Sequence, residues 1–412
     1  MVRKRAAAPL VFVAAVLIVS VGAQQPAPPR VNPETVGLSS ARLNEATDLL
    51  NRYVSEHRIA GAVAAVARHG RLGYLQAVGF QDLQTHAPMA ERSLFRIYSM
   101  TKSVTAVAAM MLLEEHRFTL DDPVARYIPE FSKAMVVDPS GGAPRPAARP
   151  ITVRDLLLHT SGLNHRTSEI YQREHVRART MTMDQFIGNL LRVPLMEDPG
   201  TRYRYSESLT VVGRLVEIWS GKPFEVFLDE RIFRPLRMTD TMFWAATPDQ
   251  RARLTTVYGP GSDGQLVRVE TEALPFTERP TLIEGAVGLL STVPDYFRFA
   301  QMLLGKGELD GVRLLQAKTV DAMTVNGLSE PIQKARGGSM GWGLANVNVQ
   351  LASSANSARA GEYGWDGTAG TIFWVDPGTD TVTVLMTQSS PANPDQIRQR
   401  FKAIVDQAIV SR

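Results

Sequence analysis

The chain has 412 residues, 44% of them hydrophobic and 21% charged, with a formal net charge of +4 at pH 7. That balance suits a globular protein with a large core and excludes a disordered or fibrous chain. Cysteine is absent, which excludes disulfides, thiolate metal sites and a cysteine nucleophile.

Three cations, Arg3, Lys4 and Arg5, precede an apolar run over 6–19, and Val21, Gly22 and Ala23 supply small residues behind it. The pattern predicts a secretory signal over 1–23, cut near Ala23, and a periplasmic or secreted mature protein. Removing it lowers the formal charge to about +1, so no nucleic-acid partner is expected. No later stretch reaches the roughly 18 consecutive apolar residues of a span, so no membrane span is expected after the cut. Residues 24–32, beginning QQPAPPR, read as an extended linker.

A helix follows over 39–57, with Leu43, Ala46, Leu49 and Leu50 on one face. The stretch 61–80 reads as a hairpin turning at His69-Gly70. Next comes YSMTKSVTAVAA over 98–109. From Ser99 this segment predicts a helix whose apolar residues cover every side, Met100, Val104, Val107, Met111 and Leu112 on one face and Ala106, Ala109, Met110 and Leu113 on another. Such a helix is buried all round. A Pro/Gly loop over 138–150 opens a mostly helical region running to about 280. Within that region REHVRAR, 173–179, reads as a solvated face. GPGSDG, 259–264, matches G-x-G-x-x-G but, with no strand before it or helix after it, reads as a turn-rich loop.

Strand character returns over 341–349 and in a hairpin of 371–376 with 381–388, turning at Pro377-Gly378. A last helix over 394–410 puts Ile397, Phe401, Ile404, Ala408 and Ile409 on one side. Strands at both ends with helices between predict an α+β fold, an antiparallel sheet flanked by helices with an inserted helical lobe. The expected division is 33–120 and 285–412 for the α/β lobe and 121–284 for the helical lobe.

The chemistry starts at Ser99 and Lys102. Spaced i and i+3, they share a helix face, and the helix N-terminus adds partial positive charge and free N–H groups. A serine nucleophile needs a base and a place for its oxyanion. Lys102 serves as base if burial lowers its pKa. Tyr205, in YRYSESL over 203–209, is the other candidate. A lysine about 4 Å from a phenol stabilises phenolate by roughly 4 kcal/mol at an effective dielectric near 20. That amounts to about three pKa units, enough to bring a tyrosine from about 10 toward about 7. The base is therefore assigned to the Lys102–Tyr205 couple.

Ser99-Met100-Thr101-Lys102 matches S-x-x-K, Tyr205-Ser206-Glu207 matches Y-x-x, and Trp365-Asp366-Gly367 stands where K-T-G or W-G-G is found. With LHTSGL at 158–163 and GLLST at 288–292, these elements run in order from about 33 to 410. The chain thus resembles the serine β-lactamase/penicillin-binding-protein superfamily, in its class C-like branch with the family VIII carboxylesterases. The resemblance implies a β-lactamase/transpeptidase-like fold, with Ser99 as nucleophile and Lys102 and Tyr205 sharing the proton. It also implies an oxyanion hole from the backbone N–H groups of Ser99 and Thr368, and substrate contacts at Glu207, Trp365, Asp366 and Gly367. Gly367 and Gly370 suit a strand edge against which substrate lies close, and Trp365 suits a substrate platform.

Two departures bear on the substrate. Glu207 replaces an asparagine and Trp365 replaces a lysine, so an anionic β-lactam meets a repelling carboxylate and loses a cation. Asp366 adds negative charge to the same rim. The expected substrate is a small neutral ester. His159, in LHTSGL, reads as a helix and loop cap rather than a catalytic base. G-x-S-x-G is absent, against an α/β-hydrolase, and the histidine spacings suit no metal. The sequence therefore reads as a serine hydrolase acting through an acyl-enzyme, with no metal or cofactor. Its rivals are a β-lactamase, D,D-peptidase or acyltransferase on the same fold, and a catalytically weak envelope-binding module.

Overall fold

The computed structural model describes residues 29–353 and 358–410. The expected signal over 1–23 and the first residues of the expected linker lie outside them. Ser39 caps the first helix by accepting from the Arg42 N–H, as a short hydroxyl before an apolar-periodic run should. In chain order the elements that position the site are α1 (Ser40–Ser55), β1 (Gly61–Arg68), β2 (Arg71–Asp82), β3 (Ala87–Pro88), α2 (Thr101–Glu114), α3 (Ser208–Ser220), α4 (Val293–Leu304), β4 (Met340–Gly343), β5 (Val347–Gln350), β6 (Tyr363–Asp366), β7 (Thr371–Asp376), β8 (Thr381–Thr387) and α5 (Ile397–Gln407).

One sheet gathers all eight of these strands in the order β4-β5-β6-β7-β8-β1-β2-β3, with every neighbouring pair antiparallel. Residues 61–88 and 340–387 meet where β1 pairs with β8, from Ala62 opposite Thr387 to Arg68 opposite Thr381. β1 is buried along its whole length, and its alternation sorts its side chains between two cores. Ala62, Ala64 and Val66 pack with Leu43, Leu50, Phe401 and Val405 of α1 and α5. Val63, Ala65 and Ala67 face the larger core that holds α2, α3 and α4. The sheet thus lies between helical layers, an α+β architecture of the β-lactamase/transpeptidase-like kind.

Three local expectations change. The stretch 341–349 is a hairpin, β4 and β5, rather than one strand. Its turn needs a left-handed residue, which Asn346 supplies at φ 58°, a conformation asparagine tolerates better than most. GPGSDG is the turn of a small hairpin, Tyr258–Pro260 paired with Leu266–Arg268. A short strand therefore does enter it, and a strand rather than a helix follows. REHVRAR is not a solvated face throughout, because Arg179 is buried and Arg177 is partly so. Arg177 pairs with Glu272 and Glu284, and Arg179 lies over the Phe276 ring, all about a hundred residues further along the chain, so local pattern could not reveal them.

Candidate active site

Ser99 lies in a tight turn, Tyr98–Met100, that feeds directly into α2. Tyr98 adopts φ 40°, a strained value for an aromatic residue, and it aims the next residue away from the regular helix. The turn is anchored from both sides. Tyr296 Oη donates to Met100 O at 2.9 Å and Thr101 Oγ1 accepts from Leu289 N at 3.2 Å. Ser99 is only 5% exposed and Lys102 is fully buried, as the all-apolar helix requires.

Lys102 Nζ is hydrogen-bonded to Ser99 Oγ at 3.3 Å and donates to Ala286 O at 3.0 Å. Burial pulls its pKa down to about 7, against the upward pull of Glu207. Tyr205 is hydrogen-bonded to Ser99, and its Oη accepts from Trp365 Nε1 at 3.0 Å. Lys102 Nζ stands 4.7 Å from the centre of the Tyr205 ring. The structure thus brings Ser99, Lys102, Tyr205 and Trp365 together.

The direction expected for Tyr205 is reversed. Burial pushes its phenol well up, and the hydrogen bonds from Ser99 and Trp365 only moderate that. The lysine that was to stabilise phenolate is itself half-neutral near pH 7, so desolvation wins. Of the two candidate bases, Lys102 is the one that reaches its basic form near pH 7.

His159 is a buried post. Its Nδ1 accepts from the Ser206 N–H at 3.2 Å, so Nε2 carries the proton that Asn346 Oδ1 receives at 2.8 Å. Burial holds the ring neutral, with its pKa well below the usual value. Its ring packs at a tilt against the Tyr205 ring, with centres 4.6 Å apart. This second role for LHTSGL has no local sequence signal, because Asn346 lies in the β4–β5 turn.

Glu207 does not line the cleft; it is fully buried. Its Oε1 accepts from the Arg166 N–H at 3.3 Å, while Oε2 has no partner. Burial favours the neutral acid, but the surrounding positive charge, that of Lys102 and then Arg166 foremost, holds the carboxyl below its usual range. The expected repulsion of an anionic substrate thus has no open Glu207 carboxylate behind it. Asp366 is likewise no free charge on the rim, since Arg398 donates to it and to Gly367 O.

A Cβ on Gly367 would lie 2.3 Å from Thr371 Oγ1 and 2.5 Å from Ile97 O. Only glycine lets the end of β6 approach the Ser99 turn this closely. Thr368, just beyond, is exposed and borders a cavity of about 520 Å³ with Tyr98, Arg166, Arg177 and Glu272. Arg177 spans Glu284 with two bonds of 2.6 Å and reaches Glu272 at 2.7 Å. Arg179 lies 3.7 Å from the centre of the Phe276 ring. Thr368 and Tyr98 border this cavity, while Ser99, Lys102 and Tyr205 are not among the residues that line it.

A family model described as Beta-lactamase matches residues 46–407. Protein Rv1367c of Mycobacterium tuberculosis is 33% identical over 353 residues, covering 81% of this chain and 86% of its own length. Esterase EstB of Burkholderia gladioli is 28% identical over 387 residues, covering 87% of this chain and 94% of its own. The solved structure of EstCE1, described as a hydrolase with promiscuous acyltransferase activity, superposes with a TM-score of 0.75 at 25% identity. It covers 90% of this chain and 99% of its own.

Proposed function

The chain belongs to the beta-lactamase family and is a serine hydrolase of that fold, and from that premise we propose that it cleaves small neutral carboxylic esters. The observation that carries the reading is the hydrogen-bonded set of Lys102, Ser99, Tyr205 and Trp365. Neutral Lys102 takes the Ser99 proton as Oγ attacks the ester carbonyl. The oxyanion is received by the N–H groups of Ser99 and Thr368. Neutral Tyr205 relays the proton from Lys102 to the departing alkoxide, and water then releases the acid from Ser99 by the same relay.

Preference for neutral substrates rests on Trp365, whose indole stands where related hydrolases offer a lysine to an anionic carboxylate. A signal over 1–23 would deliver the enzyme to the periplasm or beyond. No helix among the described residues is long and apolar enough to cross a membrane.

Steady-state assay of the purified protein on short-chain aryl esters beside a chromogenic cephalosporin tests the reading. The esters should lead by at least about a hundredfold in kcat/KM, roughly 3 kcal/mol of discrimination. Equal turnover of the cephalosporin would replace the esterase by a β-lactamase.

A further inference from the structure

Glu207 is a buried charge beside Lys102 that the acyl-enzyme scheme leaves unused. It immediately precedes α3, which packs on α2, and the chain at 284–286 is wedged between those helices. A Cβ on Gly285 would lie 2.3 Å from Leu209 O and 3.0 Å from Thr105 Cγ2. Thr105 Oγ1 donates to Gly285 O at 2.6 Å, and the next carbonyl, Ala286 O, holds Lys102 Nζ. Lys102 and the first turn of α3, which Glu207 precedes, therefore belong to one buried wall behind the nucleophile.

The charges around Lys102 are not equivalent. Glu284 is held by two bonds from Arg177, and Asp366 is paired with Arg398. His159 stays neutral, its pKa pushed well down by burial, and burial takes His165 down to about 4. Tyr205 is also neutral, its phenol pushed up by burial. Arg166 contributes a positive charge from the loop that covers Glu207. Only Glu207 is held by nothing but a backbone N–H, with Oε2 unpartnered. A buried carboxylate oxygen without a partner is rare and calls for an ordered water or a role in catalysis.

We propose that Glu207 is a positioning residue for hydrolysis. Its charge steadies the Lys102 ammonium while Lys102 carries the Ser99 proton, and so sets the pH above which Lys102 acts as base. The proton balance is closed: it leaves Ser99 Oγ, resides on Lys102 Nζ opposite the Glu207 carboxylate, and departs with the alkoxide leaving group. Glu207 stays ionised throughout. The proposal rests on the Ser99–Lys102 reading above.

The test is the pH profile of kcat/KM on a neutral aryl ester. The acid limb of the wild type reports loss of neutral Lys102. In Glu207→Gln the limb should move down by about one unit, because the ammonium loses its stabilising charge. The variant then keeps about fivefold more of its own plateau at pH 6 than the wild type does, while the plateau itself falls. Glu207→Asp restores the charge and should restore the limb. Arg166→Gln removes a cation and should move the limb the opposite way, up. That variant carries the test if Glu207→Gln fails to fold, and an unmoved limb in either overturns the proposal. Turnover retained by Ser99→Ala would overturn the serine mechanism itself. Ser99 dependence with superimposed limbs would overturn the role of Glu207 alone.

Discussion

Trp365 Nε1 donates to Tyr205 Oη at 3.0 Å, joining two motif elements that lie 160 positions apart in the chain. The indole also packs edge-on against Trp342, with ring centres 4.6 Å apart. Its N–H is thereby committed to the phenol, so that in the proposed scheme the residue braces the proton relay.

Trp365→Phe keeps a ring in place and deletes that one hydrogen bond. A bond of about 1 kcal/mol corresponds to roughly a fivefold to tenfold loss. The loss should fall on kcat with KM little changed. A raised KM with kcat preserved would make Trp365 a substrate platform only.

Lys102→Met and Tyr205→Phe should each cost several orders of magnitude in kcat. Both touch the Ser99 hydroxyl, so they act as one unit and their losses should overlap. The double variant should fall far short of the product of the single effects. Multiplicative losses in the cycle would separate the two residues into independent roles.

The local signals were legible where a single segment carries them. Lys102 on an all-apolar helix with Ser99 three residues ahead of it, and the helix and hairpin at either end, follow from spacing and polarity. What was hidden depends on distant partners. Glu207 looked like a charge on the rim because nothing in YSES shows the Arg166 loop covering it. Arg177 looked solvated because Glu272 and Glu284 are far along the chain. Tyr205 was expected to ionise because a Coulomb estimate can be made from sequence, whereas its desolvation depends on the packing of His159, Trp342 and Trp365 around it.

A stability prediction follows from Asp295, buried in the first turn of α4. Its carboxyl accepts from the Asp240 N–H at 2.7 Å and from Thr241 Oγ1 at 3.0 Å. Burial, with the neighbouring Asp240 carboxylate, pushes its pKa up to about 7. The unfolded chain loses this proton near pH 4, so between about pH 4 and 7 the folded state binds more protons and stability falls as pH rises. Asp295→Asn keeps an acceptor and cannot ionise. Its Tm should exceed that of the wild type at pH 8 and converge with it at pH 4. Parallel Tm curves across that range would show that Asp295 does not titrate there.

The most direct test of the central claim is the covalent intermediate on Ser99. Protein turning over a neutral aryl ester is quenched in acid, and its mass and peptide map are measured. The account predicts one acyl increment on the peptide containing Ser99. Ser99→Ala should lose both adduct and turnover while its unfolding stays within about 1 kcal/mol of the wild type. An adduct on another residue, or wild-type turnover by Ser99→Ala, would contradict it.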